Sequence, residues 1–210
     1  MNYQKILFFF LFITFGFAAL QVPLVHFAGS KATFTLFDAF GPIAGAFLGT
    51  LSGIAAVLIM QITNFVLHGS KVLDIGTIIR FLPMLFATMY FSKPSKLNWI
   101  VPGLAIVIFN LNPIGRSVWF YSLFWLVPIG CYFWQEKSIL LRSLGATFTA
   151  HAMGGAIWIW AFHLPKAVWL GLIPVVIMER LVFTISMAAL YLCVRSIINQ
   201  NYNRHAIHQN

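Results

Sequence analysis

Seven long apolar stretches alternate with short polar gaps along the chain, near 6–28, 40–67, 74–92, 98–113, 117–134, 140–163 and 168–196. A spanning helix needs about 20 predominantly apolar residues, so the pattern predicts an all-α, polytopic membrane bundle of about six to seven helices. The gaps read "GSKATFTLFD", "HGSKVLD", "SKPSK", "NPIGR", "QEKS" and "LPK". None is long enough for a soluble domain, so residues 1–196 form one membrane domain. Residues 197–210, "IINQNYNRHAIHQN", read as a polar, disordered tail. Two stretches are irregular: 98–113 is short and holds Pro102, and the Gly41-Pro42 pair can break one helix and start another.

Composition sharpens this picture. The chain has 210 residues, 60% hydrophobic and 8% charged, with a mean hydropathy of +0.89. A soluble domain carries about 25% charged residues, and so few charges cannot coat a surface that faces water. Lys and Arg number 13 against 4 Asp and Glu. Most of the basic residues sit singly in the gaps, which suits anionic headgroups, and no nucleic-acid motif accompanies them. If every stretch crosses once, Lys31, Lys93, Lys96, Lys137, Arg142, Arg195 and Arg204 share one side. Lys5, Lys71, Arg116 and Lys166 share the other. The positive-inside rule then puts the C-terminus in the cytoplasm and the N-terminus outside, against the sign of Lys5. The first run resembles a signal peptide but has no small-x-small cleavage site, so it reads as an uncleaved helix. Cys131 and Cys193 both lie in apolar stretches, which argues against a disulfide framework.

Gly41, Gly45, Gly49 and Gly53 recur at a four-residue interval in "GPIAGAFLGTLSG". On one helix they line one face, a bare groove of the kind that lets membrane helices approach closely. That face serves packing within the fold or contact with a partner. A second small-residue row, "GATFTAHAMGGA", adds to the closely packed surface.

Three passages carry a resemblance: "FGFAALQVP", "FTLFDAFGPIAGAFLGTLSG" and "LIPVVIMERLVFTISMAALYL". Together they resemble the substrate-binding S components of energy-coupling factor (ECF) vitamin transporters. In that family a Gly-Pro opens a Gly-spaced helix and the last helix begins with a Leu-Ile-Pro-like segment. The resemblance covers the first 67 residues and the last helix, and the family has one membrane helix fewer than the seven stretches counted here. It implies a protein that captures a vitamin or similar solute from outside and docks onto a membrane coupling subunit carrying ATPase subunits. Release would follow from toppling in the membrane. This chain has no GxxxxGK[ST] stretch, so ATP hydrolysis would belong to those partners. Small residues of the first helix meet the coupling subunit in the family; here they are Gly16, Ala18 and Ala19.

Ionisable residues within membrane segments are costly and mark candidate sites. Arg80 lies in "LDIGTIIRFLPML", and Glu179 and Arg180 lie in "LIPVVIMERLVF". Helix neighbours point about 100° apart, so Glu179 is expected to meet Arg80, leaving Arg180 for a solute carboxylate or phosphate. The bland alternative is a charge cluster that locks helices together. Asp38 precedes the glycine row, as a helix cap or as a solute contact from the 29–39 loop. Gln61 and Asn64 share a face, and Asn110, Asn112 and Arg116 surround a Pro-Gly turn. His151, with Thr147 and Thr149 nearby, is an interhelical hydrogen bonder or a ligand contact. Trp158, Trp160 and Trp169 read as an interfacial belt, with ring stacking on a flat solute as the alternative for Trp158.

No HExxH, GxSxG or paired acids appear in the apolar stretches, and no cofactor or metal set is expected. The leading expectation is a solute-binding subunit whose cavity is lined by parts of 74–92, 140–163 and 168–196. A small intramembrane enzyme or a membrane scaffold using the same polar cluster is the second.

Overall fold

The glycine row does not lie on one helix. In the computed structural model, which describes residues 3–26, 33–68 and 75–207, the chain turns at Gly49 with φ 87° and ψ 163°. That conformation is open to glycine and strained for other residues. Before the turn lies a short limb, made of α2 (Phe37–Phe40), a 3₁₀ turn (Gly41–Ile43) and α3 (Ala44–Leu48). After it comes α4 (Thr50–His68). The limb folds back on α4 where Gly45 meets Gly53: a Cβ on Gly53 would lie 2.7 Å from the Gly45 Cα. Gly49→Ala is expected to lower stability by about 1–3 kcal/mol, measured by denaturant unfolding in mixed micelles.

The limb also packs against α5 (Ile75–Ser92). A Cβ on Gly41 would lie 3.2 Å from the Met84 methyl, and one on Gly45 would collide with the Thr88 carbonyl oxygen. The offset between partners is constant, so limb and α5 run side by side in one direction. At their common end Thr50 Oγ1 and Ser92 Oγ lie 2.8 Å apart. Arg142 donates there to the Ser92 carbonyl and places its guanidinium 4.8 Å from the Phe91 ring. Three of the four glycines therefore pack inside the fold, and Gly49 makes the bend.

Helix α1 (Tyr3–Leu20) runs parallel to α4. A Cβ on Gly16 would collide with the Met60 sulfur, and further along Gln21 Nε2 donates to Asn64 Oδ1 at 2.9 Å. Gly16 and Ala19 are thereby buried inside the fold, which takes the helix-packing alternative for these two; Ala18 alone of the three is exposed. A two-stranded antiparallel hairpin, β1 (Pro23–His26) with β2 (Thr33–Thr35), then leads into the limb. Lys31, Lys71 and residues 29–32 of the expected loop lie outside the described residues.

The second half is built on α9 (Ile139–Phe162), which packs against α5, against α6 (Leu97–Leu111), against α8 (Leu126–Tyr132) and against α10 (Lys166–Ile207). A short α7 (Pro113–Ser117) and a 3₁₀ run (Trp119–Trp125) join α6 to α8. The small-residue row of α9 admits large rings. Gly145 seats Tyr90, whose hydroxyl donates to the Pro128 carbonyl at 2.7 Å, and Gly155 seats Trp125. Asn98 Nδ2 donates to Gln135 Oε1 at 3.0 Å at one end of this half. Trp160 Nε1 donates to the Ile108 carbonyl at 3.0 Å at the other.

Thr50–His68 and Lys166–Gln200 are long and apolar enough to cross a membrane, and several shorter apolar helices accompany them. The segment expected to be a disordered tail instead continues α10 as helix through Ile207, its last turns simply extending the helix that precedes them.

Candidate functional site

Glu179 and Arg180 sit one turn past Val176 on α10 and turn inward toward α9. Both are 7% exposed. The Arg180 Nη2 donates to Glu179 Oε2 at 3.1 Å, so these chain neighbours pair with each other. This corrects the expected Glu179–Arg80 pairing. Arg80 is exposed near the start of α5, while the long Arg180 stem can bend its head back to the adjacent carboxylate. Arg180 Nη1 donates to the Thr147 carbonyl at 3.1 Å and to Thr147 Oγ1 at 3.2 Å. Its guanidinium lies over the Phe183 ring at 5.0 Å. Nε has no acceptor among the described residues.

The limb adds Asp38. Its Oδ2 accepts the Thr35 N–H at 2.8 Å, which ties the end of the hairpin to the first turn of α2. No side-chain cap is made at the helix N-cap itself, Leu36. α2 packs against α10, and Asp38 lies within electrostatic range of Arg180 and Glu179. Phe34 of β2 stands edge-on to Phe183 at 5.3 Å, so the hairpin seats directly beside the cluster.

One turn beyond Thr147 on α9 comes His151. Trp125 Nε1 donates to its Nδ1 at 3.1 Å, and the Tyr121 hydroxyl lies 3.0 Å from its Nε2. An Nδ1 that accepts carries no proton, so the ring is the neutral tautomer with its proton on Nε2. Both His151 and Tyr121 are within electrostatic range of Arg180. Tyr121 and Trp125 were not singled out from the sequence. The aromatic run "WFYSLFW" was their signal, and there it read only as part of an apolar stretch.

The remaining expected site residues lie elsewhere. Trp158 is half-buried and packs against Phe162 at 5.3 Å within the second core, away from the charge cluster. Asn64 serves Gln21, and Asn112 caps α7 by accepting from Ile114 N–H at 2.9 Å. Among the described residues no group of three or more His, Cys, Asp or Glu is placed to hold a metal.

Comparison with known proteins adds one relative. An uncharacterized protein of Methanocaldococcus jannaschii, MJ0923, is 27% identical over 204 residues, covering 87% of this chain and 68% of the relative. No family model matches the sequence. No solved structure matches it either.

Together the residues form a buried polar centre in which one guanidinium, two carboxylates, a threonine and a neutral imidazole converge from α2, α9 and α10. Its donors and acceptors are of the kind that can hold a polar group.

Proposed function

We propose that the chain is a membrane-embedded solute-binding subunit of an uptake transporter, similar to the S components of ECF vitamin transporters. The observation that carries the reading is the buried Arg180–Glu179–Thr147 cluster beside the hairpin that follows α1. In this reading the hairpin covers the captured solute, and partner ATPase subunits supply the energy.

A multi-pass membrane setting is supported by the distribution of polarity. Leu51 is 83% exposed, Val66 73% and Phe15 64%, while Asn98, Gln135 and Arg180 are buried. Water would favour the reverse arrangement, and hydrocarbon favours this one. Exposed Trp99 and Trp134 flank one end, and Trp119 and Trp160 the other, as interfacial anchors do.

The bend at Gly49 also supports an orientation. It adds one pass to the expected count, which brings Lys5 to the end that holds Lys93, Lys96, Lys137 and Arg195. Lys5 and Arg195 then both face the cytoplasm under the positive-inside rule, and Lys31 takes the place of Lys5 on the less basic side. Because Gly16 and Ala19 are used internally, a coupling subunit would dock on a surface other than the one used in the family.

Purified protein should retain a small solute, detectable by mass spectrometry of a denatured extract. Arg180→Ala should lose it while Lys137→Gln keeps it. Retention of the same solute by Arg180→Ala would sink the reading, and catalytic turnover without an ATPase partner would favour an intramembrane enzyme.

A further inference from the structure

One guanidinium has two carboxylates in its neighbourhood: Glu179 in direct contact, and Asp38 within electrostatic range on α2, which packs against α10. The charge of Arg180 is already met by Glu179 at 3.1 Å. Asp38 brings a second negative charge from α2, and its described partner is the Thr35 N–H rather than a cation. Among the described residues the Glu179–Arg180 contact is the one salt bridge. His151 offers no compensation, because its Nδ1 accepts from Trp125 and the ring is neutral. Tyr121, the other polar group on that side, contributes a hydroxyl. A surplus charge away from water is costly until a counter-charge reaches it.

A separate observation directs the cluster toward a ligand. Arg180 Nε is buried and has no acceptor, although an arginine presents all its N–H groups in one rigid fork. The orphaned donor calls for an acceptor atom that the described chain does not supply. Asp38 and His151 are half-buried where Glu179 and Arg180 are enclosed.

We infer that the cluster takes a small organic cation, with a protonated nitrogen for Asp38 and a hydrogen-bond acceptor for Arg180 Nε. This rests on the solute-binding reading and narrows it. It also replaces the expectation that Arg180 waits for a solute carboxylate, since an added carboxylate would make three against one guanidinium.

The test uses the full chain in nanodiscs at neutral pH and three probes on one pyridine ring: 3-(aminomethyl)pyridine, nicotinamide and nicotinate. The ring nitrogen offers the acceptor in each, and only the charge of the substituent changes. Calorimetry should show 3-(aminomethyl)pyridine binding at least about tenfold more tightly than nicotinate. Asp38→Asn should erase that preference and Asp38→Glu should keep it. The ranking by the unmodified protein decides the matter even if a variant fails to fold. Tighter binding of nicotinate overturns the cationic assignment and leaves a solute site standing. Binding by none of the three also overturns it, and the retained-solute measurement then judges the solute-binding reading separately.

Discussion

Arg180→Met is expected to destabilise the protein by about 3–5 kcal/mol, because it leaves Glu179 buried without its partner. Glu179 is as enclosed as Arg180, and the guanidinium is the one salt-bridge partner it has among the described residues. The loss would also remove the hydrogen bonds that the Thr147 carbonyl and hydroxyl accept from Arg180 Nη1. The double variant Glu179→Gln with Arg180→Met should recover most of the cost, since replacing a whole buried pair by neutral groups is often close to neutral. Denaturant unfolding of the four proteins in mixed micelles completes the cycle. A change under about 1 kcal/mol for Arg180→Met alone would show that the pair is hydrated, and the buried-centre description would fail.

Gly45→Val should be comparably severe, costing about 3 kcal/mol or more, toward the upper end of what overpacking does. Most overpacked sites relax by moving a flexible side chain. Here the new atoms would meet α5 at two residues, the Thr88 carbonyl oxygen and the Cα and Cβ of Ser92. Neither can retreat without shifting a helix. Gly103 on α6 provides the contrast, because nothing lies within 4 Å of an added Cβ there. Gly103→Ala should be neutral or stabilising by up to about 1 kcal/mol, from helix propensity alone. Equal losses at the two positions would mean that the limb is not packed as described.

What the sequence conveyed, and where it misled, follows from what a periodicity encodes. Apolar runs with small-residue rows identified a helical protein and marked the faces that pack closely. A four-residue interval, however, does not distinguish a glycine that admits a neighbour from one that turns the chain. Gly41, Gly45 and Gly53 do the first and Gly49 the second, so one expected helix became a limb and a helix. The direction of Cβ atoms argued against a Glu179–Arg180 pair, but the guanidinium sits at the end of a long stem whose bending that rule ignores. Hydropathy placed Arg80 and Arg180 in equivalent apolar surroundings. Only the packing around Thr147 separates the enclosed arginine from the exposed one. His151 was recognised as a hydrogen bonder, whereas its partners Tyr121 and Trp125 come from a 3₁₀ run whose side-chain directions no helical or strand period describes.

The bend at Gly49 also bears on how the chain is made. Phe37–Leu48 is much shorter than the roughly 20 residues that let a helix partition into lipid by itself. In the proposed multi-pass setting it would leave the insertion machinery only once α4 has been synthesised and can accompany it. Biogenesis of the N-terminal half would then wait on a pair of segments rather than proceed helix by helix. On that proposal a ribosome stalled just beyond the bend would hold a nascent chain with α1 inserted and the limb still outside the bilayer.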